Sequence, residues 1–254
     1  MTHPVEKPRI LKKAIYCSIL WLLAPIGILT TAIIRHQPTY QSRTILEWFD
    51  GMQMDPKSPN LMALREIGKP AVLLLREDLT SGHIDYRIKA AWALGQLGPP
   101  ALEAAPSLIQ ALNDDSPIVK HYAILSLAAL HISTDALISG LMSKLDENTL
   151  GVANSAANLL NQIERERNRD NIPFVADEFE YDMVFLRSSV YYVRGMGLER
   201  LIKIKHKDER VMAEFYSLTN DANLSVREMA LSYANHPGIM ERIYQNPSTF
   251  GPRE

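Results

Sequence analysis

The sequence predicts an all-α fold: a solenoid of stacked helix pairs preceded by one N-terminal transmembrane helix. Three observations predict it. A pattern of basic, small and leucine residues returns at a spacing of 33 residues. A run of 21 residues near the amino terminus carries no charge. Strand signals are weak, because no alternating run of β-branched residues is bounded by hairpin turns.

The charge-free run occupies residues 14–34, begins at Ala14, ends at Ile34 and reads AIYCSILWLLAPIGILTTAII. As a helix it spans ~31 Å, about the thickness of a hydrocarbon core. Lys12 and Lys13 stand directly before it, with Lys7 and Arg9 further out, whereas only Arg35 and His36 follow closely. The positive-inside tendency puts the amino terminus in the cytoplasm and residues 37–254 on the other side. The expectation is therefore a single-pass membrane protein with an exported repeat domain, periplasmic or extracellular. A signal peptide shares the basic start and apolar middle. Thr30-Thr31-Ala32 is a poor cleavage signal and the apolar stretch is long, so an uncleaved anchor is the preferred reading. Pro25 is tolerated in a membrane helix. Cys17, the single cysteine, reads as a small apolar residue in that helix, and it excludes an intrachain disulfide.

Residues 1–13 then form a short basic tail, 14–34 the anchor or signal peptide, 35–54 a connector with a capping helix, and 55–254 the repeat domain with an insertion near 165–190. The net charge of −2 is uneven: the first 36 residues carry five basic side chains and one acid, leaving 22 basic and 28 acidic residues beyond them. An acidic body argues against general nucleic-acid binding.

The period is read from paired segments. Tyr86-Arg87-Ile88-Lys89-Ala90-Ala91-Trp92-Ala93-Leu94-Gly95 aligns with Val119-Lys120-His121-Tyr122-Ala123-Ile124-Leu125-Ser126-Leu127-Ala128, and Arg87 to Lys120 is 33 residues. A further 33 reaches Ala153, and Arg194 to Arg227 is again 33. Ala153 to Arg194 is 41, so the fourth unit is longer by about eight residues. A degenerate earlier copy ends in Ala63-Leu64 and Gly68. Each copy fits two helices. Ala90, Ala91, Ala93, Ala123, Ala156 and Ala157 let neighbouring helices approach, and Leu94, Leu97, Leu125, Leu127, Leu130, Leu159 and Leu160 supply buried bulk. Gly98-Pro99-Pro100 stops one helix and starts the next, and Ser116-Pro117 offers an N-cap followed by proline at the first helical position.

These residues resemble the HEAT-repeat family, in the variety common in bacterial proteins. The pattern is an acid, then Val-Arg-x-x-Ala-Ala-x-Ala-Leu-Gly-x-Leu-Gly, then a second helix beginning near proline. It is best kept from Asp85 to Gly98 and next best from Asp115 to Leu130, and weaker copies extend it over about residues 55–245. The resemblance implies a right-handed α-α superhelix with a concave face lined by the second helix of each pair. It also implies that the basic position, held by Arg87, Lys120, Arg194 and Arg227, bonds to acids and carbonyls of adjoining units. Asp85 and Asp115 are the acids of the same motif. The fourth unit departs from it with Ala153 at the basic position and a displaced second helix. Residues 40–52 resemble the short Trp-containing segment that often precedes the first repeat in exported bacterial proteins of this family. With Ile45, Leu46, Trp48, Phe49 and Met52 at helical spacing, the segment reads as a capping helix. Residues 236–246 would close the other end.

The most unusual stretch is in unit four. Residues 164–170, Glu-Arg-Glu-Arg-Asn-Arg-Asp, read as a solvated helix end or linker. Phe174, Phe179, Tyr181, Phe185, Tyr191 and Tyr192 follow, among Asp177, Glu178, Glu180 and Asp182. Aromatic residues anchor interfaces, and they equally fill a widened junction between two half-arrays. Phe174, Phe179, Tyr181 and Phe185 are the candidate interaction surface. The densest basic run, Arg200, Lys203, Lys205, His206, Lys207 and Arg210, reads as a solvated helix end and turn. No His-Glu-x-x-His, Gly-x-Ser-x-Gly or phosphate-binding loop is present, and Gly195-Met196-Gly197 lacks the third glycine of a dinucleotide fingerprint. No catalytic, cofactor or metal residue is assigned. The expected function is a non-enzymatic, membrane-tethered scaffold that binds a protein or peptide. Two other readings follow from the resemblance. Some HEAT-like arrays resemble bilin lyases, which attach open-chain tetrapyrroles to carrier proteins. A HEAT-like nucleic-acid-binding protein would need a basic groove, which the sequence does not display.

Overall fold

The computed structural model describes residues 39–147, 149, 151–170, 172, 178–204 and 209–234. The segment 14–34 and the closing segment 236–246 lie outside them. Among the described residues no helix is long and apolar enough to cross a membrane.

The chain enters through a two-stranded hairpin, β1 (Thr39–Tyr40) and β2 (Arg43–Thr44). Gln41 and Ser42 at its tip have φ of 50° and 63°, the left-handed conformation that a tight two-residue hairpin requires. The capping helix expected over 40–52 is therefore shorter: α1 is Ile45–Asp50. Its start is fixed by a capping box, in which the Thr44 Oγ1 accepts the Glu47 N–H and the Glu47 carboxylate accepts the Thr44 N–H at 2.8 Å. The Trp48 indole donates to the Tyr40 carbonyl at 3.0 Å, and Arg43 lies over its ring. Ile45, Trp48, Phe49 and Met52 are buried, and they cover the first apolar face of the stack, as a terminal cap must.

Helix pairs follow. The first is α2 (Pro59–Ile67) with α3 (Lys69–Asp78). The second is α4 (Ile84–Leu97) with a 3₁₀ turn (Pro99–Ala104) and α5 (Ala105–Gln110). The third is α6 (Pro117–Ala129) with α7 (Asp135–Met142), and the fourth α8 (Val152–Arg169) with α9 (Glu178–Leu186). Then come α10 (Tyr191–Ile204) with α11 (Glu209–Ser217), and α12 (Leu224–Ala234). Gly68 and Gly98 end α2 and α4 at φ of 70° and 71°, a conformation costly for any residue with a Cβ. Prolines then start the second helices. Ser116 sits at the N-cap of α6, but its side chain makes no capping bond there. Its N–H instead donates to Asp114.

The small residues of the first helices do what the pattern requires. Ala90, Ala91, Ala93, Ala123, Ala156 and Ala157 are all buried. Helices α4 and α6 approach closely at Gly95. A Cβ on Gly95 would lie 2.8 Å from the Ser126 Cα, and the Ser126 hydroxyl donates to the Ala91 carbonyl at 2.6 Å. The insertion near 165–190 resolves into an extended α8, 18 residues long against 13 for α6, followed by a longer crossing to α9. Residues 164–170 are the charged end of α8, with Arg165, Asn168, Arg169 and Asp170 exposed, but Arg167 is buried, donating to Asp135 at 2.8 Å and to the Ser133 carbonyl.

The core is divided. One apolar cluster runs from Ile45 to Val193 and a second from Met183 to Ala230. Helix α9 joins them, with Tyr181 and Phe185 in the first and Met183 and Leu186 in the second.

Because the α4–α6 contact has no room for a side chain at Gly95, Gly95→Val is expected to destabilise the array by about 1–3 kcal/mol or more. Urea unfolding followed by circular dichroism checks this. An unchanged midpoint would mean that the helices separate there without penalty.

Candidate functional site

Two groups of residues merit separate treatment: the basic ladder that fixes one repeat on the next, and the surface that the ladder leaves open.

The ladder uses the basic position as expected, with acids that the motif does not name. Arg87 grips Asp114 with two hydrogen bonds, 2.7 and 3.1 Å, and donates to the Ser81 carbonyl. Arg194 grips Asp221 in the same way, 2.7 and 2.9 Å, and donates to the Ser188 carbonyl. Lys120 pairs with Glu147. In each case the acid lies 27 residues beyond the base, at the entrance of the next unit. Arg227 donates to the Asp221 carbonyl, repeating the six-residue backward contact. Asp85 and Asp115, the acids of the motif, are both exposed and take no part in the ladder. Asp114, Glu147 and Asp221 hold those roles, and the constant spacing of 27 is the sequence signal that would have found them. Burial alone pushes the Asp221 carboxyl up. Arg194, the Asn223 N–H and Arg227 outweigh it and hold the group below the usual carboxylate range.

The fourth unit has no ladder base, since Ala153 stands there. A buried ion triad takes over at this junction. Arg200 of α10 donates to Asp182 of α9 at 2.7 Å and to Glu164 of α8, and it lies over the Tyr181 ring at 4.6 Å. Burial disfavours the Arg200 charge, and the two carboxylates more than restore it. The basic run expected as a solvated helix end is thus broken at its first member. Arg210 covers the Phe179 ring at 3.7 Å, and residues 205–207 lie outside the described residues.

The candidate interaction surface is corrected in the same place. Tyr181 and Phe185 are fully buried and in contact, ring centroids 5.0 Å apart. They pack into the core at this junction. Burial pushes the Tyr181 phenol well up. Phe179 is half-buried under Arg210, and Phe174 lies outside the described residues. Gly197 packs against the same helix: a Cβ there would meet the Phe185 Cβ at 2.9 Å. Helix packing therefore accounts for this glycine of the Gly-Met-Gly sequence.

The remaining aromatic residues are the exposed ones. Tyr191 is 54% exposed, Tyr192 41% and Leu125 45%. They border a groove of about 660 Å³ lined only by first helices: Leu125 of α6; Ser155, Asn158, Gln162 and Arg165 of α8; Tyr191, Tyr192, Met196 and Glu199 of α10; and Val226 and Met229 of α12. The family resemblance implied a binding face on the second helices; this groove is on the opposite set. Its lining is regular. Ser155, Met196 and Met229 stand two positions after the ladder position, and Leu125, Asn158 and Glu199 five after it. One face of each first helix thus points into the groove. Sequence reasoning missed this face, because its residues vary in type from unit to unit while the ladder repeats. Ser155 is held from below by His121, 3.0 Å from its hydroxyl.

The comparison with known families bears on this repeating geometry. The family model described as HEAT repeats matches residues 72–161. This segment is a HEAT-repeat array. The match runs from within α3 to the middle of α8, and the ladder and paired helices continue beyond it through Arg194 and Arg227. No curated protein sequence matches the chain.

The lowered Asp221 carboxyl makes a prediction for the ladder. A carboxyl held below its unfolded value contributes stability that is complete above about pH 4 and is lost as the pH falls through the lowered value. Asp221→Asn is therefore expected to lower the urea midpoint at pH 7 and to reduce the fall in midpoint between pH 5 and pH 2. Titrations of the two proteins at matched ionic strength test this. An Asn variant with the same acid dependence as the parent would remove Asp221 from the account.

Proposed function

We propose that this protein is a membrane-tethered, non-catalytic HEAT scaffold that holds a protein or peptide partner against the groove of its first helices. The observation that carries this reading is the convergence of exposed Leu125, Tyr191 and Tyr192 with Met196 and Met229 on one concave surface. Burial would stabilise these side chains by about 1.5–3 kcal/mol each, yet the fold leaves them partly in water. Apolar concavities of this kind are recognition surfaces, and helical-repeat arrays are suited to presenting them.

The tether belongs to the same proposal. Residues 14–34 anchor the chain, the amino terminus stays in the cytoplasm, and the array, wound as a right-handed superhelix, lies on the exported side. Residues 35–38 separate the anchor from β1. Four residues reach at most ~14 Å, so the cap of the array stays close to the bilayer, where a tether raises the local concentration for a membrane partner.

Crosslinking of the full-length protein in native membranes, followed by mass spectrometry, tests the scaffold. Leu125→Glu combined with Tyr192→Glu is expected to lose the partner. Leu73→Glu, at an exposed leucine on second-helix α3, is expected to keep it. A partner that survives the groove variant places the binding surface elsewhere. Carbonate extraction tests the tether: the full chain should stay with the membrane pellet, and a chain beginning at residue 39 should leave it.

A further inference from the structure

The groove has two chemically different walls. The α10 and α12 side carries the apolar groups Tyr192, Met196 and Met229 beside Glu199 and Ser225. The α8 side presents carboxamides, Asn158, Asn161 and Gln162. Among the described residues nothing hydrogen-bonds the Asn158 or Asn161 carboxamide. Gln162 donates to Glu166 at 3.0 Å and keeps its oxygen as an acceptor. We propose that the groove binds a peptide segment in extended conformation. The α8 amides pair with its main chain, and the apolar wall receives alternate side chains. This inference rests on the scaffold reading and names the form of its ligand.

Donor and acceptor complementarity decides the occupant. A carboxamide offers one acceptor group and an N–H donor, the same pair that a peptide group offers. A helical ligand has its main-chain groups bonded internally over most of its length, so it has little to give these amides. An extended chain presents free N–H and C=O groups on one edge every two residues, about 6.6–6.8 Å. Asn158 and Gln162 are one turn apart, about 6 Å along the axis of α8. From Ser155 to Arg165 the wall is about 15 Å long, room for about five extended residues. On the opposite wall, methionine and tyrosine are side chains that accommodate varied apolar partners. The two charged residues lining the groove, Arg165 and Glu199, are of opposite sign. The groove therefore lacks the positive field that a nucleic acid or an anionic lipid surface needs.

The test uses the full-length chain in detergent micelles, panned against a display library of random nine-residue peptides. Selected peptides are then resynthesised with single N-methyl groups at successive amides. Apolar residues at alternate positions are expected, with binding lost on methylation of alternate amides. Asn158→Ala combined with Asn161→Ala should weaken binding about five- to 150-fold, the loss of two ordinary hydrogen bonds, and thermal unfolding should show the array intact. Apolar residues selected at spacings of three and four, indifference to N-methylation, or indifference to the asparagine variant would overturn the proposal. So would groove crosslinks to lipid or to a second copy of the chain. If no peptide is selected while the membrane partner still depends on Leu125 and Tyr192, the extended-peptide proposal fails and the scaffold reading stands. If the partner is indifferent to both residues, the two fall together.

Discussion

The structure depends on one repeated interaction: a basic side chain on a first helix reaching forward to an acid at the entrance of the next unit. Arg87 with Asp114, Lys120 with Glu147 and Arg194 with Asp221 each tie two consecutive helix pairs. A helix pair cannot bury its apolar face alone, so each unit needs its neighbour. The ladder fixes how that neighbour sits. Because each arginine also bonds a carbonyl of its own entry loop, the same guanidinium holds a turn and an interface. Arg and Asp suit this task, since the planar fork matches a carboxylate at two points. Lysine at position 120 achieves the contact with one nitrogen.

The fourth junction shows what happens when the ladder is interrupted. Ala153 has no side chain to reach forward. Helix α8 lengthens, and the connection is made at its far end through Glu164, Arg200 and Asp182, with Arg167 reaching back to Asp135. A buried charge is costly unless fully paired, and here one guanidinium meets two carboxylates and an aromatic ring. The aromatic pair Tyr181 and Phe185 fills the space around it. The groove lined by α6, α8, α10 and α12 spans the place where the regular ladder is missing.

The fold was legible in the sequence because its determinants are periodic. Arg87, Lys120, Arg194 and Arg227 mark the first helices, the alanines mark their contacts, and Gly98 with Pro99 marks a turn. The charged end of α8 was not legible, because Glu164 and Arg167 look like surface residues until their partners, 36 and 32 residues away, are brought beside them. Of the candidate surface, Tyr181 and Phe185 are buried. Phe179, Tyr181 and Phe185 differ from Tyr191 and Tyr192 only in which side of α9 or α10 they occupy. Composition carries no such information. The groove face follows from the ladder register, two and five positions on, once that register is known to set the direction of each first helix.

The divided core has a mechanical meaning. Two apolar clusters share the side chains of α9 and α10, which form the seam of the array. The groove extends across that seam, with Leu125 on one side and Val226 and Met229 on the other. An occupant touching both sides would act as a splint. It would tie the two clusters together, so loading the groove would couple the carboxy-terminal helices to the amino-terminal cap.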